Sequence, residues 1–175
     1  WFAGARSRTN SACAILLRKA GGAYERIADG TAATVNQPCN TRANARLMGG
    51  AEGWLTELEA VSAHELIGLK GARDVVKISV GADPDAGASF AFAPIPTTLS
   101  SNGLGSVSTT GDDLWLGGSG LVVKGSAVWD GGAFELSTLA LNGAPITGAI
   151  NQVRGVSSTN LWAIGVRYAL HKTTP

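Results

Sequence analysis

The sequence contains few of the residues from which catalytic and metal sites are usually built. Among its 175 residues there are two histidines, two cysteines and one methionine. Neither His64 nor His171 belongs to a metal-binding spacing such as His-x-x-x-His, so we expect each on the surface or on a strand face. Two cysteines without a Cys/His cluster exclude a zinc site, and no Gly-x-Ser-x-Gly elbow marks a hydrolase nucleophile. We predict no catalytic residue and no metal site.

Charge is equally scarce, and neither sign dominates. Charged residues make up 15% of the chain, and its net charge is +1. A nucleic-acid groove requires a dense basic patch, so we predict no nucleic-acid partner. Apolar stretches such as Cys13–Leu17 are far below the roughly 20 residues that cross a bilayer, and we predict no membrane span. The glycine-rich stretch Leu116–Gly120 lacks the Lys-Ser/Thr that completes a phosphate-binding loop.

Glycine, by contrast, is abundant, with 24 residues, which is roughly twice the usual share. Glycine supplies the positive φ angles of tight turns and weakens the interiors of helices and strands. Apolar residues still make up 45% of the chain, with many Val, Ile and Leu among them. This composition predicts an all-β fold of many short strands joined by turns.

Tryptophan marks an internal repeat. The pattern Trp-x-x-Gly begins at Trp1, Trp115 and Trp162, whereas Trp54 keeps the aromatic residue but lacks the glycine. Trp129 fits the same letters but lies in Trp-Asp-Gly-Gly, which is typical of a turn. The four spaced tryptophans are 53, 61 and 47 residues apart. Propeller blades are roughly 40–50 residues long, and longer loops account for the excess.

The segments around the tryptophans repeat as well. Residues 107–114 and 156–161 both run Val-Ser-(Ser/Thr)-Thr, then a polar turn, then Leu, and Gly-Gly-Ala-Tyr-Glu at 21–25 matches Gly-Gly-Ala-Phe-Glu at 131–135. We therefore predict units of about four strands each, whose tryptophan rings fill the layer between neighbouring units. The predicted units are 1–42, 43–98, 99–145 and 146–175. The predicted strands of the last two are Leu104–Ser108, Leu114–Gly117, Leu121–Val128, Phe134–Leu141, Ile150–Val156, Leu161–Val166 and Tyr168–Lys172.

One segment, Glu52–Lys70, is ambiguous between helix and strand. Its leucines, with Val61 and Ile67, are spaced so that they could line one helical face, and its glutamates are good helix formers. The repeat places a strand here, and we follow the repeat.

The Trp-containing segment Val156–Gly165 and the turn Trp129–Gly131 resemble the blade signature of secreted bacterial β-propellers. Met48–Trp54 is similar to a variant strand of that family. The resemblance implies about four repeats of four-stranded antiparallel sheets, in a protein that is extracellular, on the cell surface or periplasmic. It implies little about function, because propellers carry many unrelated activities. The second unit departs from the family pattern, since it lacks the glycine after its tryptophan.

The two cysteines, Cys13 and Cys39, are predicted to form a disulfide. Their separation would close a loop worth roughly 3–4 kcal/mol on the chain-entropy model. The exported character of the composition favours this pairing. Two independent buried thiols are the alternative.

We expect the chain to be part of a larger propeller. The first unit shows no strand before Trp1, and the fourth reaches Pro175 without a closing strand. Open sheet edges invite pairing with another chain. A second chain, a missing segment or a symmetry partner is therefore predicted to complete the propeller.

Turn carboxylates offer the one candidate cofactor, Ca²⁺. Asp83 and Asp85 flank a proline, and Asp112 stands beside Asp113. Calcium takes roughly six to eight oxygen ligands, and each place offers only two side chains. We therefore predict no cofactor and keep Ca²⁺ as the alternative.

The predicted function is that of a non-enzymatic binding or scaffolding module that presents propeller loops to a protein or glycan. The candidate loops are Arg6–Ser11, Asn36–Arg46 and Asp83–Pro96. The first two carry Arg6, Arg8, Arg42 and Arg46, which would suit an acidic patch or an anionic glycan.

The alternative is a carbohydrate-active enzyme, a glycoside hydrolase or lyase on a propeller scaffold. Such a site needs paired carboxylates around the propeller axis, one of them with a raised pKa. Asp113, Asp130 and Glu135 are the candidates. An acid-lined axial channel would favour this alternative.

Overall fold

The computed structural model describes residues 1–8, 11–31, 40–41, 55–70, 74–82 and 88–173. Its regular structure is almost entirely antiparallel β-sheet, so the predicted all-β class is confirmed. The chain divides into two compact units. The first unit comprises Trp1–Gly71 with Val76–Ala91, and the second comprises Ala72–Val75 with Phe92–Pro175.

The strands form sheets in which each strand pairs with its neighbours along the chain. The sheet of the N-terminal part contains β1 (Phe2–Arg8), β2 (Ser11–Ala20), β3 (Ala23–Thr31) and β4 (Asn40–Thr41). The next contains β5 (Leu55–Ala60), β6 (Glu65–Lys70), β7 (Asp74–Val80) and β8 (Ala88–Pro94). The third contains β9 (Ser106–Thr110), β10 (Asp113–Gly118), β11 (Leu121–Ser126) and β12 (Phe134–Thr138).

Two further sheets and two short helices complete the described structure. A two-stranded sheet consists of β13 (Ala140–Leu141) and β14 (Ala144–Pro145), and a three-stranded sheet of β15 (Ile150–Ser157), β16 (Asn160–Gly165) and β17 (Tyr168–Lys172). The one-turn helix α1 (Thr97–Ser100) precedes β9, and a 3-10 helix covers Val128–Asp130.

The hairpin between β2 and β3 shows how glycine shapes the sheets. Only Gly21 and Gly22 separate the paired residues Ala20 and Ala23. Their φ angles are 56° and 85°, and two-residue turns with positive φ at both positions match the right-handed twist of the strands. A residue with a side chain would be strained at either position.

The glycine of the Trp-x-x-Gly repeat has a different role, which is close approach. Gly118 and Gly165 each end a strand that carries a tryptophan three positions earlier. A Cβ on Gly118 would lie 3.0 Å from the carbonyl oxygen of Asn102, and a Cβ on Gly165 would collide with the carbonyl oxygen of Ala149. The repeat therefore keeps glycine where the strand end meets the backbone of the preceding segment.

In the first unit, the core lies between the β1–β4 sheet and the β5–β8 sheet. Its buried residues are Leu16, Leu55, Leu66, Val76, Ile78 and Val80, and Trp1 packs against them. Burying a side chain of this size contributes roughly 1.5–3 kcal/mol relative to exposure.

In the second unit, the β9–β12 sheet packs face to face with the β15–β17 sheet. The buried cluster contains Trp115, Val122, Ile150, Val153, Leu161 and Ala163. Hydrogen bonds also join the two sheets. The backbone N–H of Val153 donates to Ser106 Oγ at 2.9 Å, and Arg154 Nη1 donates to the carbonyl oxygen of Val107 at 2.8 Å.

The ambiguous segment contains two strands, β5 and β6, so the interpretation that followed the repeat is confirmed. In β6 the residues Leu66, Ile67, Gly68 and Leu69 are all buried. A strand covered on both faces has continuous apolar residues instead of alternating ones. For this reason its sequence could also be interpreted as one face of a helix.

Parts of the predicted loops are strands. Arg6 and Arg8 lie in β1, where they pair with Cys13 and Ser11 of β2. In the loop predicted for Asn36–Arg46, Asn40–Thr41 forms β4, which pairs with the end of β3.

The loop predicted for Asp83–Pro96 is corrected in the same way, since it contains β8 (Ala88–Pro94). Ala93, near the end of that strand, is buried. Arg42, Arg46, Asp83 and Asp85 lie outside the described residues.

Strand ends in the second unit differ slightly from prediction. Strand β11 ends at Ser126, because the 3-10 helix Val128–Asp130 follows it. Trp129 lies in this helix, and Gly131 follows with φ 82°, in agreement with the predicted turn. Among the described residues, no helix has the length and apolar character needed to cross a membrane.

Candidate binding surface

Each of three sheets pairs an aromatic ring with a basic or imidazole side chain of the following strand. Trp115 in β10 pairs with Lys124 in β11, and Trp162 in β16 pairs with His171 in β17. The ammonium of Lys124 lies 5.8 Å from the Trp115 ring centroid. In the β1–β4 sheet, the guanidinium of Arg18 lies 5.9 Å from the Trp1 ring centroid. The distances are in the range of cation–π contacts.

Trp115 is the buried member of this set. Only 3% of its surface is exposed, and its indole Nε1 donates to Thr110 Oγ1 at 2.7 Å. The β15–β17 sheet covers its ring through Ile150 and Val153, among others. A buried indole N–H needs such an acceptor, because an unpaired one costs about 1–3 kcal/mol. Trp115 thus has the packing role that the sequence predicted.

Asp113 supports the same strand through two polar partners. Its carboxylate accepts a hydrogen bond from Ser126 Oγ at 2.7 Å and lies 3.0 Å from the ammonium of Lys124. The Ser126 hydrogen bond, with a smaller effect of Lys124, lowers the pKa of Asp113 below its ordinary value of 3.8. A general acid needs a raised pKa, so Asp113 has the wrong shift for that role.

Trp162 occupies the same position in its strand but is exposed. Its exposed fraction is 42%, so the predicted filling of a layer between neighbouring units is not observed for this residue within the described chain. Its ring stacks on the imidazole of His171, with centroids 4.2 Å apart and planes 6° apart. His171 Nε2 is 2.9 Å from Asn160 Oδ1. These contacts fix the indole against the ring of His171.

Alternation along the strands places two more apolar residues beside this stack. Ile164, two residues after Trp162, is 40% exposed, and its partner Ala169 in β17 is exposed as well. We call the surface formed by Trp162, Ile164, Ala169 and His171 the Trp162 face. The opposite side of the sheet, with Leu161 and Ala163, is buried against the β9–β12 sheet. A large indole fixed on an exposed sheet face is typical of a binding surface.

A cavity of about 340 Å³ lies between the two packed sheets of the second unit. Among the residues that line it are Trp115, Val122, Leu139, Leu161 and Leu170, with the polar residues Ser137, His171 and Lys172. Lys172 Nζ donates to the carbonyl oxygen of Ser158 at 3.0 Å. Ligand pockets in proteins have a similar combination of apolar walls and a few polar groups.

The other acidic candidates lie on different elements of the fold. Asp112 lies exposed in the β9–β10 turn, Asp130 in the 3-10 helix and Glu135 in β12. Within the described ranges, no group of three or more His, Cys, Asp or Glu side chains could hold a metal ion.

His64 lies in the exposed turn between β5 and β6, and its backbone N–H donates to Ser62 Oγ at 3.1 Å. The expectation of a surface position is therefore correct for His64, and that of a strand face is correct for His171.

The disulfide remains a prediction. The backbone of Cys13 lies in β2, opposite Arg6. Cys39 lies outside the described residues.

Sequence reasoning did not identify the stack of Trp162 on His171. A usable signal was present: His171 lies nine residues after Trp162, across a two-residue turn, which is the separation of directly opposed residues in such a hairpin. The tight hairpin between β16 and β17 confirms this register.

The chain was compared with protein-family models, curated proteins and solved structures, and none of the three comparisons finds a match. Function must therefore be inferred from the surface itself.

Proposed function

We propose that the chain is a non-enzymatic binding or scaffolding module that holds a protein partner through the Trp162 face. The observation that carries the proposal is the exposure of Trp162 at a strand position where the neighbouring sheet buries Trp115. Exposed tryptophans in the centre of an apolar patch often dominate binding energy.

The chemistry of the face favours a protein over a glycan. Its members are an indole, two aliphatic side chains and an imidazole, and the imidazole is already bonded to Asn160. A sugar presents hydroxyls that require several polar partners, whereas a protein surface can supply apolar contact across the whole face.

We further propose that the sheets are blades of a β-propeller. Three observations support this proposal. Each sheet is a meander of consecutive strands, and each lies within one of the predicted units. Within the second unit, two of the sheets pack face to face. Face-to-face stacking of such meanders is the blade plan. In that architecture the Trp162 face is a blade face that a partner covers.

Residue-level oxidative footprinting tests the binding proposal. Hydroxyl radicals are generated on cells that express the chain at its native level, and mass spectrometry measures the oxidation of Trp162. We expect Trp162 in cells to be oxidised at least threefold more slowly than in the dilute purified chain, because the partner covers it. The oxidation of the exposed Tyr24 is analysed separately, because Tyr24 lies in the other unit.

Two internal references make the measurement interpretable. Trp115 should react slowly in both samples because it is buried, and Val61, in an exposed turn, should react equally in both. Equal oxidation of Trp162 in cells and in dilute solution would show that nothing covers the face, and the binding proposal would then be wrong.

A further inference from the structure

A second exposed aromatic face lies on the β1–β4 sheet. Phe2 and Tyr24 are 51% and 60% exposed, and their rings make an edge contact with centroids 5.5 Å apart. Leu17 pairs with Phe2 across β1 and β2 and is half-buried. We call the surface formed by Phe2, Leu17 and Tyr24 the Phe2 face. The other side of this sheet, with Leu16 and Trp1, is packed in the core of the first unit.

In the repeat, the Phe2 face corresponds to one side of the β15–β17 sheet, which packs against the β9–β12 sheet. Phe2 follows Trp1 as Ala163 follows Trp162, and Leu17 is opposite Phe2 as Leu170 is opposite Ala163. Ala163 and Leu170 belong to the side of the β15–β17 sheet that packs against the cluster around Trp115. The Phe2 face is therefore the positional counterpart of a surface that covers a repeat tryptophan.

We propose that the Trp162 face of one copy of this chain binds the Phe2 face of a second copy. This inference rests on the proposed binding role of the Trp162 face and names its partner. The contact continues, between two chains, the packing that joins the β9–β12 and β15–β17 sheets within one chain. In each copy, the Phe2 face corresponds to the sheet side that covers Trp115. The Trp162 face of the same copy receives the Phe2 face of the next copy.

The contact is heterologous, because the two faces are different surfaces of the chain. Every copy then keeps one free Trp162 face and one free Phe2 face until the assembly closes, and such contacts produce rings or open chains. If the Trp162 face is blocked on one copy and the Phe2 face on another, the two remaining intact faces should still pair with each other. This property distinguishes the proposed contact from a symmetric dimer.

The test measures the solution mass of the purified 175-residue chain by light scattering over a concentration series. We expect the wild-type mass to reach at least double that of one chain. Trp162→Glu blocks one face, Tyr24→Glu blocks the other, and each variant alone should stay at the mass of one chain. An equimolar mixture of the two should form a complex of two chains, since one intact face of each kind remains.

The controls separate loss of binding from loss of folding. Val61→Glu changes an exposed apolar residue, 46% exposed in a turn, and should assemble as the wild type does. Far-UV circular dichroism checks each variant. If Trp162→Glu is misfolded, Trp162→Ala replaces it, with an expected weakening of at least tenfold.

Three results would overturn the inference: a wild-type chain that stays at the mass of one chain, single variants that assemble as well as the wild type, or a mixture that forms no complex. The footprinting experiment distinguishes these failures from failure of the binding role. Protection of Trp162 in cells together with a monomeric purified chain would retain the binding role and assign the face to a different protein.

Discussion

Trp115 and Trp162 occupy the same position in two strands of the same unit, yet one is 3% and the other 42% exposed. Each is the third residue of a six-residue strand, follows a leucine and lies opposite a residue of the next strand in the hairpin. The strand itself therefore does not decide burial. The β15–β17 sheet buries Trp115, and within the described residues of the second unit no sheet does the same for Trp162.

The residues around the two indoles differ in a consistent way. Asp113 and Lys124 form an ion pair beside Trp115, whereas the corresponding Asn160 and His171 share a hydrogen bond. Two residues after Trp115 stands Gly117, which leaves room for the neighbouring sheet. The corresponding position in β16 is Ile164, which adds apolar surface. The comparison shows that the side of β10 that carries Trp115 is packed within the chain, whereas the side of β16 that carries Trp162 leaves apolar surface exposed.

Removing the buried indole should have the largest effect. Trp115→Ala is expected to lower the free energy of unfolding by about 3–5 kcal/mol, because a cavity replaces the ring. Trp162→Ala should lower it by less than about 1 kcal/mol in the dilute chain. Urea unfolding followed by circular dichroism measures both. Equal losses would show that the two positions are equivalent, and Trp115→Phe provides a milder variant if the alanine protein does not fold.

A methyl group at Gly117 should have the next largest effect. The added Cβ would lie 2.8 Å from Cγ2 of both Ile150 and Val153, and such overpacking costs about 1–3 kcal/mol. The matched change Ile164→Val in β16 should alter stability by less than about 0.5 kcal/mol. Thermal and urea unfolding compare the two variants. A neutral Gly117→Ala would mean that the sheets are not packed as closely as the structure has them.

Loss of the indole acceptor should have a smaller effect. Thr110→Val leaves the Trp115 N–H buried without its hydroxyl partner and should cost about 1–2 kcal/mol. Ser157 is the corresponding residue in β15, and its hydroxyl contacts Thr159 on the surface at 3.2 Å. Ser157→Ala should therefore change stability by less than about 0.5 kcal/mol. Equal losses in the free energy of unfolding of the two variants would contradict this prediction.

The pH dependence of stability should show the smallest effect. Because folding lowers the pKa of Asp113 below 3.8, its stabilisation is complete above about pH 5 and is lost as the pH falls through the folded-state pKa. Asp113→Asn should cost less than about 1 kcal/mol at pH 7, since the pair is partly exposed. The difference from the wild type should shrink in unfolding experiments below pH 4. Asn160→Ala, which removes no carboxylate, should leave the pH dependence below pH 4 unchanged.

The strands were predictable because local patterns define them. Glycine-containing turns and the Trp-x-x-Gly repeat placed β10, β16 and β17 within one or two residues of their observed bounds. The Arg6–Ser11 segment was predicted to be a loop, yet pairing with β2 places Arg6 and Arg8 in a strand. A polar residue can occupy a strand wherever one face of a sheet is solvated, so the basic residues of this segment did not exclude a strand.

By itself the sequence determined the strand positions, the turns and the register that places a basic or imidazole group beside Trp1, Trp115 and Trp162. These features depend on residues close together in the chain, and their conformational preferences act locally. Only the tertiary structure decided which indole is covered and which is free. That outcome depends on a sheet from a distant part of the chain, since apolar burial requires a neighbouring surface and no pattern within one strand specifies it.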